Sequence, residues 1–104
     1  MTIEQVLERS SELGLKPSLL VGHMDAEWGT YVVIEAPPQG LRFLAEVLLA
    51  HAEAVEDDCE WEMHPQGAGT AWFDRRSPLG VWIHRLPCKE GLLSDELRGQ
   101  SAEG

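Results

Sequence analysis

The chain has 104 residues, with eighteen Asp and Glu against eight Lys and Arg, for a formal net charge of −10. That length suits a single domain able to bury its own core without metal or disulfide support. The charge argues against phosphate backbones and anionic membranes, where affinity comes from Lys and Arg displacing counterions, and favours steering toward a basic partner.

The first residues predict a helix over Thr2 to Leu13. Thr2 and Gln5 fit a capping box, in which each side chain satisfies a backbone N–H left open at a helix start. Ile3, Val6, Leu7, Ser10 and Leu13 follow at helical spacing, Gly14 suits a left-handed terminator, and Pro17 prevents resumption. Two strands are expected next, Ser18 to Met24 and Thr30 to Ala36, joined by the five-residue hairpin loop Asp25 to Gly29. Pro37 and Pro38 cannot donate to a ladder and end the second strand. That strand is apolar on both faces, with Val32 and Ile34 on one side and Tyr31 and Val33 on the other.

The strongest periodicity predicts a helix over Gly40 to Ala54. Arg42, Glu46, Leu49 and Glu53 form one stripe, and Leu41, Phe43, Leu44, Val47, Leu48 and His51 form a wide apolar face for the core. The acidic run Glu56-Asp57-Asp58 opposes the helix dipole and stops it. Two more strands are expected. In Cys59 to His64, Cys59, Trp61 and Met63 alternate with Glu60, Glu62 and His64, and Val81 to Leu86 ends at Pro87. Between them Pro65 to Gly80 is longer than most loops and holds a candidate short strand at Ala71 to Phe73. The order α-β-β-α-β-β implies an α+β fold: a four-stranded, mostly antiparallel sheet with the second helix packed on one face. Residues 1–98 are expected to form the domain and 99–104 a disordered tail.

Met1 to Gln5 lacks the basic start and apolar run of a secretory signal, and no apolar stretch reaches the roughly 20 residues of a membrane span. The expectation is therefore a cytoplasmic protein with Cys59 and Cys88 reduced. No motif for a cofactor, for nucleophilic catalysis or for paired metal ligands is present. His64 and His84 lie on adjacent expected strands and could meet there, though ordinary strand-face histidines with ordinary hydrogen bonds account for them better. His51, in the middle of the apolar helical face, reads as a core imidazole. Six acids within ten residues, Glu53 to Glu62, form either a solvated surface or an anionic face that recruits a basic protein. Trp28 sits in the hairpin loop, and Trp72-Phe73 sits beside Asp74-Arg75-Arg76. Such aromatics either anchor an interface or fold back to extend the core.

The stretch Gln39-Gly40-Leu41-Arg42-Phe43-Leu44-Ala45-Glu46-Val47-Leu48-Leu49-Ala50-His51-Ala52 resembles the central helix of the immunity protein 32 family, small proteins of bacterial polymorphic toxin systems. His64-Pro65 and Ser77-Pro78-Leu79-Gly80-Val81-Trp82-Ile83 stand in places similar to that family's later segments, with Pro65 where the family usually has Asp. The resemblance runs from Gln39 to Ile83. It implies neutralisation of a toxin by binding, without catalytic residues or cofactor.

The functional expectation is a non-catalytic acidic protein that binds a basic protein partner, with no role for nucleic acid or membrane. Glu56, Asp57, Asp58, Glu60 and Glu62 would steer association, and Trp72 and Phe73 would anchor it. The alternative is a structural or regulatory homodimer that buries Tyr31 and Val33 across a two-fold axis. A small metal-dependent enzyme using His64 and His84 is the third reading.

Overall fold

The computed structural model describes residues 2–54, 60–66, 71–86, 93 and 97. Helix α1, Ile3–Glu12, begins as its sequence dictates. The Gln5 N–H donates to Thr2 Oγ1 at 3.1 Å, and the Thr2 N–H donates to Gln5 Oε1 at 2.9 Å, which completes the capping box. Leu13 caps the other end, and Gly14 follows with φ +63°, a conformation that costs glycine nothing. Val6 and Ser10 are buried and Ile3 and Leu7 pack beside them, whereas Leu13 lies beyond the helix in solvent.

Strands β1, Leu20–Ala26, and β2, Gly29–Glu35, pair antiparallel, with Val21 opposite Ile34 and His23 opposite Val32. The hairpin is tighter than its composition implies. Ala26 pairs with Gly29, which leaves only Glu27-Trp28 as the loop. Two features close it. Gly29 takes φ +142°, and Thr30 Oγ1 donates to Asp25 Oδ1 at 2.7 Å across the pair. At the other end β1 starts at Leu20 rather than Ser18, because Ser18 sits at φ +50° and cannot extend a strand.

Helix α2 is Pro38–Ala52, two residues earlier at both ends than its periodicity suggests. Pro38 occupies the first turn, where its missing N–H has no partner to lose and its fixed φ already suits a helix. The Gly40 and Leu41 N–H groups both donate to the Pro37 carbonyl. Just past the C-terminus of α2, Arg85 donates to the His51 and Ala54 carbonyls and braces the end of the helix. The helix is also turned about its axis relative to expectation. Phe43, Leu44, Val47 and His51 are buried and Leu49 faces solvent as expected, but Gly40 and Ala50 join the buried face while Leu41 and Leu48 are exposed. Gly40 sets this rotation: a Cβ there would collide with the Pro17 carbonyl and the Ala36 side chain, so the helix approaches its neighbours along its glycine side.

Strands β3, Glu60–Met63, and β4, Val81–His84, pair antiparallel with Met63 opposite Val81. Among the described residues the strands form two separate two-stranded sheets, β1–β2 and β3–β4, and not one sheet of four. The long connection explains why. Leu19 bridges Phe73 in parallel; its N–H donates to the Trp72 carbonyl at 2.9 Å, and its carbonyl accepts from the Asp74 N–H at 2.8 Å. The Leu79 N–H then donates to the Val21 carbonyl at 3.1 Å. Residues 72–79 thereby occupy the outer edge of β1, so neither β3 nor β4 pairs with that edge. Gly80 finishes the run by lying against the Met63 carbonyl, too close for any side chain.

The core joins both helices to β1, β3 and the long connection. Val6 of α1, Leu19 and Val21, Phe43, Leu44, Val47 and Ala50 of α2, Met63 of β3 and Phe73 form one buried cluster. Each of the larger side chains contributes about 1.5–3 kcal/mol by leaving water. Outside the cluster Arg9 Nη2 reaches Glu46 Oε1 at 3.1 Å and links α1 to α2, an exposed pair worth at most about 1 kcal/mol.

Candidate functional site

The β1–β2 hairpin is the feature that the core does not explain. Its base is fixed: Val21 is buried, and Pro78 packs over Gly22, where a Cβ would meet the proline ring at 3.5 Å. Beyond that point the hairpin leaves the body of the protein. Alternation places His23, Val32 and Ile34 on one face and Met24, Tyr31 and Val33 on the other. Neither face is covered. Trp28 at the tip is 85% exposed, Val32 72%, Met24 62% and Tyr31 47%. Large apolar side chains usually escape water when a fold offers them the chance, so a contiguous exposed group marks an interaction surface more often than a defect. Asp25, Glu27 and Glu35 give this apolar arm an acidic rim.

The residues expected to bind a partner are placed differently. Glu56, Asp57 and Asp58 lie outside the described residues. Glu60 and Glu62 belong to β3, and Glu62 is exposed, its Oε1 3.4 Å from His64 Nε2. Phe73 is buried, and Trp72 is half-buried and stacks on Phe43 with ring centroids 6.2 Å apart and planes 24° apart. Phe73 is part of the core and Trp72 packs against it, so both extend the core, as one of the two roles open to these aromatics requires. Trp28 is the tryptophan that faces solvent at a loop tip. Its loop position was visible in the sequence, but its exposure depends on the hairpin projecting.

The ladder keeps His64 and His84 apart. His84 pairs with Glu60, and His64 follows Met63 at the opposite end of β3, four positions and about 13 Å along the strand. Among the described residues no group of three or more His, Cys, Asp or Glu could hold a metal ion. His51 is buried within α2, as expected for a core imidazole. Cys59 and Cys88 lie outside the described residues. No helix among those described is long and apolar enough to cross a membrane.

Two polar features near the hairpin base are structural. Asp74 accepts from the Arg76 side chain at 2.9 and 3.1 Å and from the Arg76 N–H at 2.8 Å. These bonds hold its carboxyl down to about 2 from the usual 3.8. Ser77 is buried, and its hydroxyl accepts from the Val21 N–H at 2.9 Å while facing the Val21 and Leu79 carbonyls at 3.2 and 2.9 Å. It takes the place of a neighbouring strand's backbone at that edge. Comparison with known proteins returns no match to a family model, to a curated protein or to a solved structure.

Proposed function

We propose that this chain is a non-catalytic binding protein that engages a basic protein partner through the β1–β2 hairpin. The observation that carries the proposal is the exposed tip, where Trp28 stands almost wholly in solvent beside Glu27, with the exposed Met24–Tyr31 pair further down the same hairpin. Trp and Tyr concentrate binding energy when a partner desolvates them. The net charge of −10 selects against acidic surfaces and speeds encounter with basic ones. The resemblance of α2 to the immunity protein 32 family gives the reading its class, an inhibitor that neutralises a toxin by covering it. Such a protein acts in the cytoplasm and needs neither cofactor nor catalytic residue.

Capture from an extract of the cell that makes the protein, read by mass spectrometry, tests this. The tagged protein should recover a basic protein that Trp28→Ala loses. Equal recovery by Trp28→Ala, or recovery of acidic proteins alone, would remove the hairpin from the account.

A further inference from the structure

The outer edge of β2 presents backbone groups as well as side chains. The Val21 N–H and carbonyl both bond away from β2, to Ser77 and Leu79. Val21 is opposite Ile34, so the Ile34 N–H and carbonyl also point away from the pair, outward from β2. By alternation the same holds for Val32 and Thr30. No backbone partner for these three residues exists among the described residues. Natural edge strands are usually shortened, charged, or covered to prevent pairing. This one spans seven residues and holds a single charge, Glu35, at its end.

We infer that β2 pairs edge to edge with β2 of a second copy, antiparallel about a two-fold axis through Val32, making a four-stranded sheet across two chains. The sequence of the strand fits itself in this register. Val32 faces Val32 on the axis, Thr30 faces Ile34, and Tyr31 faces Val33. Glu35 meets Gly29, so no carboxylate opposes another. An apolar body of another kind would cover the side chains but leave three N–H groups and three carbonyls unanswered. A strand answers them, and this strand matches its own copy.

Seven residues a side fall well short of the roughly 20–30 of a standard stable interface, so the dissociation constant should be on the order of micromolar. The inference is independent of the partner proposed above: the two tips point in opposite directions in the dimer and stay free.

Sedimentation velocity across about 1–500 μM, paired with residue-resolved amide exchange, tests it. The mass should rise with concentration from 11.6 kDa toward twice that value. Exchange at Thr30, Val32 and Ile34 should slow with the same midpoint, while Tyr31 and Val33, already bonded to β1, should not change. Added salt should tighten the dimer by screening two copies of a −10 chain, the opposite of its effect on a basic partner. Val32→Lys places like charges on the axis at an exposed position and should weaken the dimer about tenfold or more, whereas Trp28→Ala, away from the axis, should leave the dimer unchanged. A chain that stays monomeric throughout, or a dimer in which Thr30, Val32 and Ile34 exchange as fast as in dilute solution, overturns the inference.

Discussion

Ser77→Ala should destabilise the fold far more than its size suggests. The Ser77 hydroxyl is the acceptor for the Val21 N–H, and Val21 is 3% exposed. Removing it leaves a buried donor without a partner, which costs about 1–3 kcal/mol, while the loss of one oxygen from the packing adds little. Water cannot easily replace it, because the Leu79 N–H to Val21 carbonyl bond closes the same edge. For a domain of this size each kcal/mol lowers the melting temperature by about 4–8 °C. Thermal and urea unfolding followed by tryptophan fluorescence would measure the loss, with Ser11→Ala on the exposed side of α1 as the control. A Ser77→Ala variant within about 0.5 kcal/mol of the parent would refute the reasoning that this hydroxyl substitutes for a strand.

The close approach at Gly40 predicts that Gly40→Ala loses about 1–3 kcal/mol although alanine is the better helix former, because the obstacle is the Pro17 backbone carbonyl. An unchanged or raised urea midpoint would show that α2 can move aside. Asp74 links stability to pH. Its carboxyl titrates lower in the folded chain, at about 2, than in the unfolded one, at about 3.8. Its contribution is therefore complete above pH 4 and vanishes as the pH falls toward 2. The stability difference between the parent and Asp74→Asn should follow that window in urea titrations, and a difference constant from pH 2 to 6 would remove Asp74 as the cause.

The elements that depend on nearby residues were legible in the sequence. Thr2 and Gln5 define the start of α1 within three residues, and the alternation of Met63 with Glu62 and His64 predicts which side of β3 meets the core. Long-range contacts were not legible. Arg85 caps α2 from 34 residues away, and nothing local to either segment signals it. Helix α2 is apolar around most of its circumference, so periodicity found the helix and most of its buried face, Phe43, Leu44, Val47 and His51, but not that the Gly40 side turns inward and leaves Leu41 and Leu48 in solvent. The single four-stranded sheet was a reasonable inference from four strands. Among the described residues it is not formed: residues 72–79 carry their own bonds to the outer edge of β1 through Ser77, Asp74 and Leu79, and a serine hydroxyl acting as a strand leaves no pattern. For the candidate site, the doubly apolar composition of Tyr31 to Ile34 was the visible signal. The same long-range contacts determine that the core leaves it uncovered.

The central claim is that an exposed, acid-rimmed hairpin binds a basic partner, and association kinetics with the captured partner test it most directly. The on-rate should fall about tenfold or more as salt rises from about 50 to 500 mM. Trp28→Ala should act mainly on the off-rate, with a loss of about 2 kcal/mol, or roughly 30-fold in affinity. An on-rate indifferent to salt together with an unchanged affinity for Trp28→Ala would contradict the account.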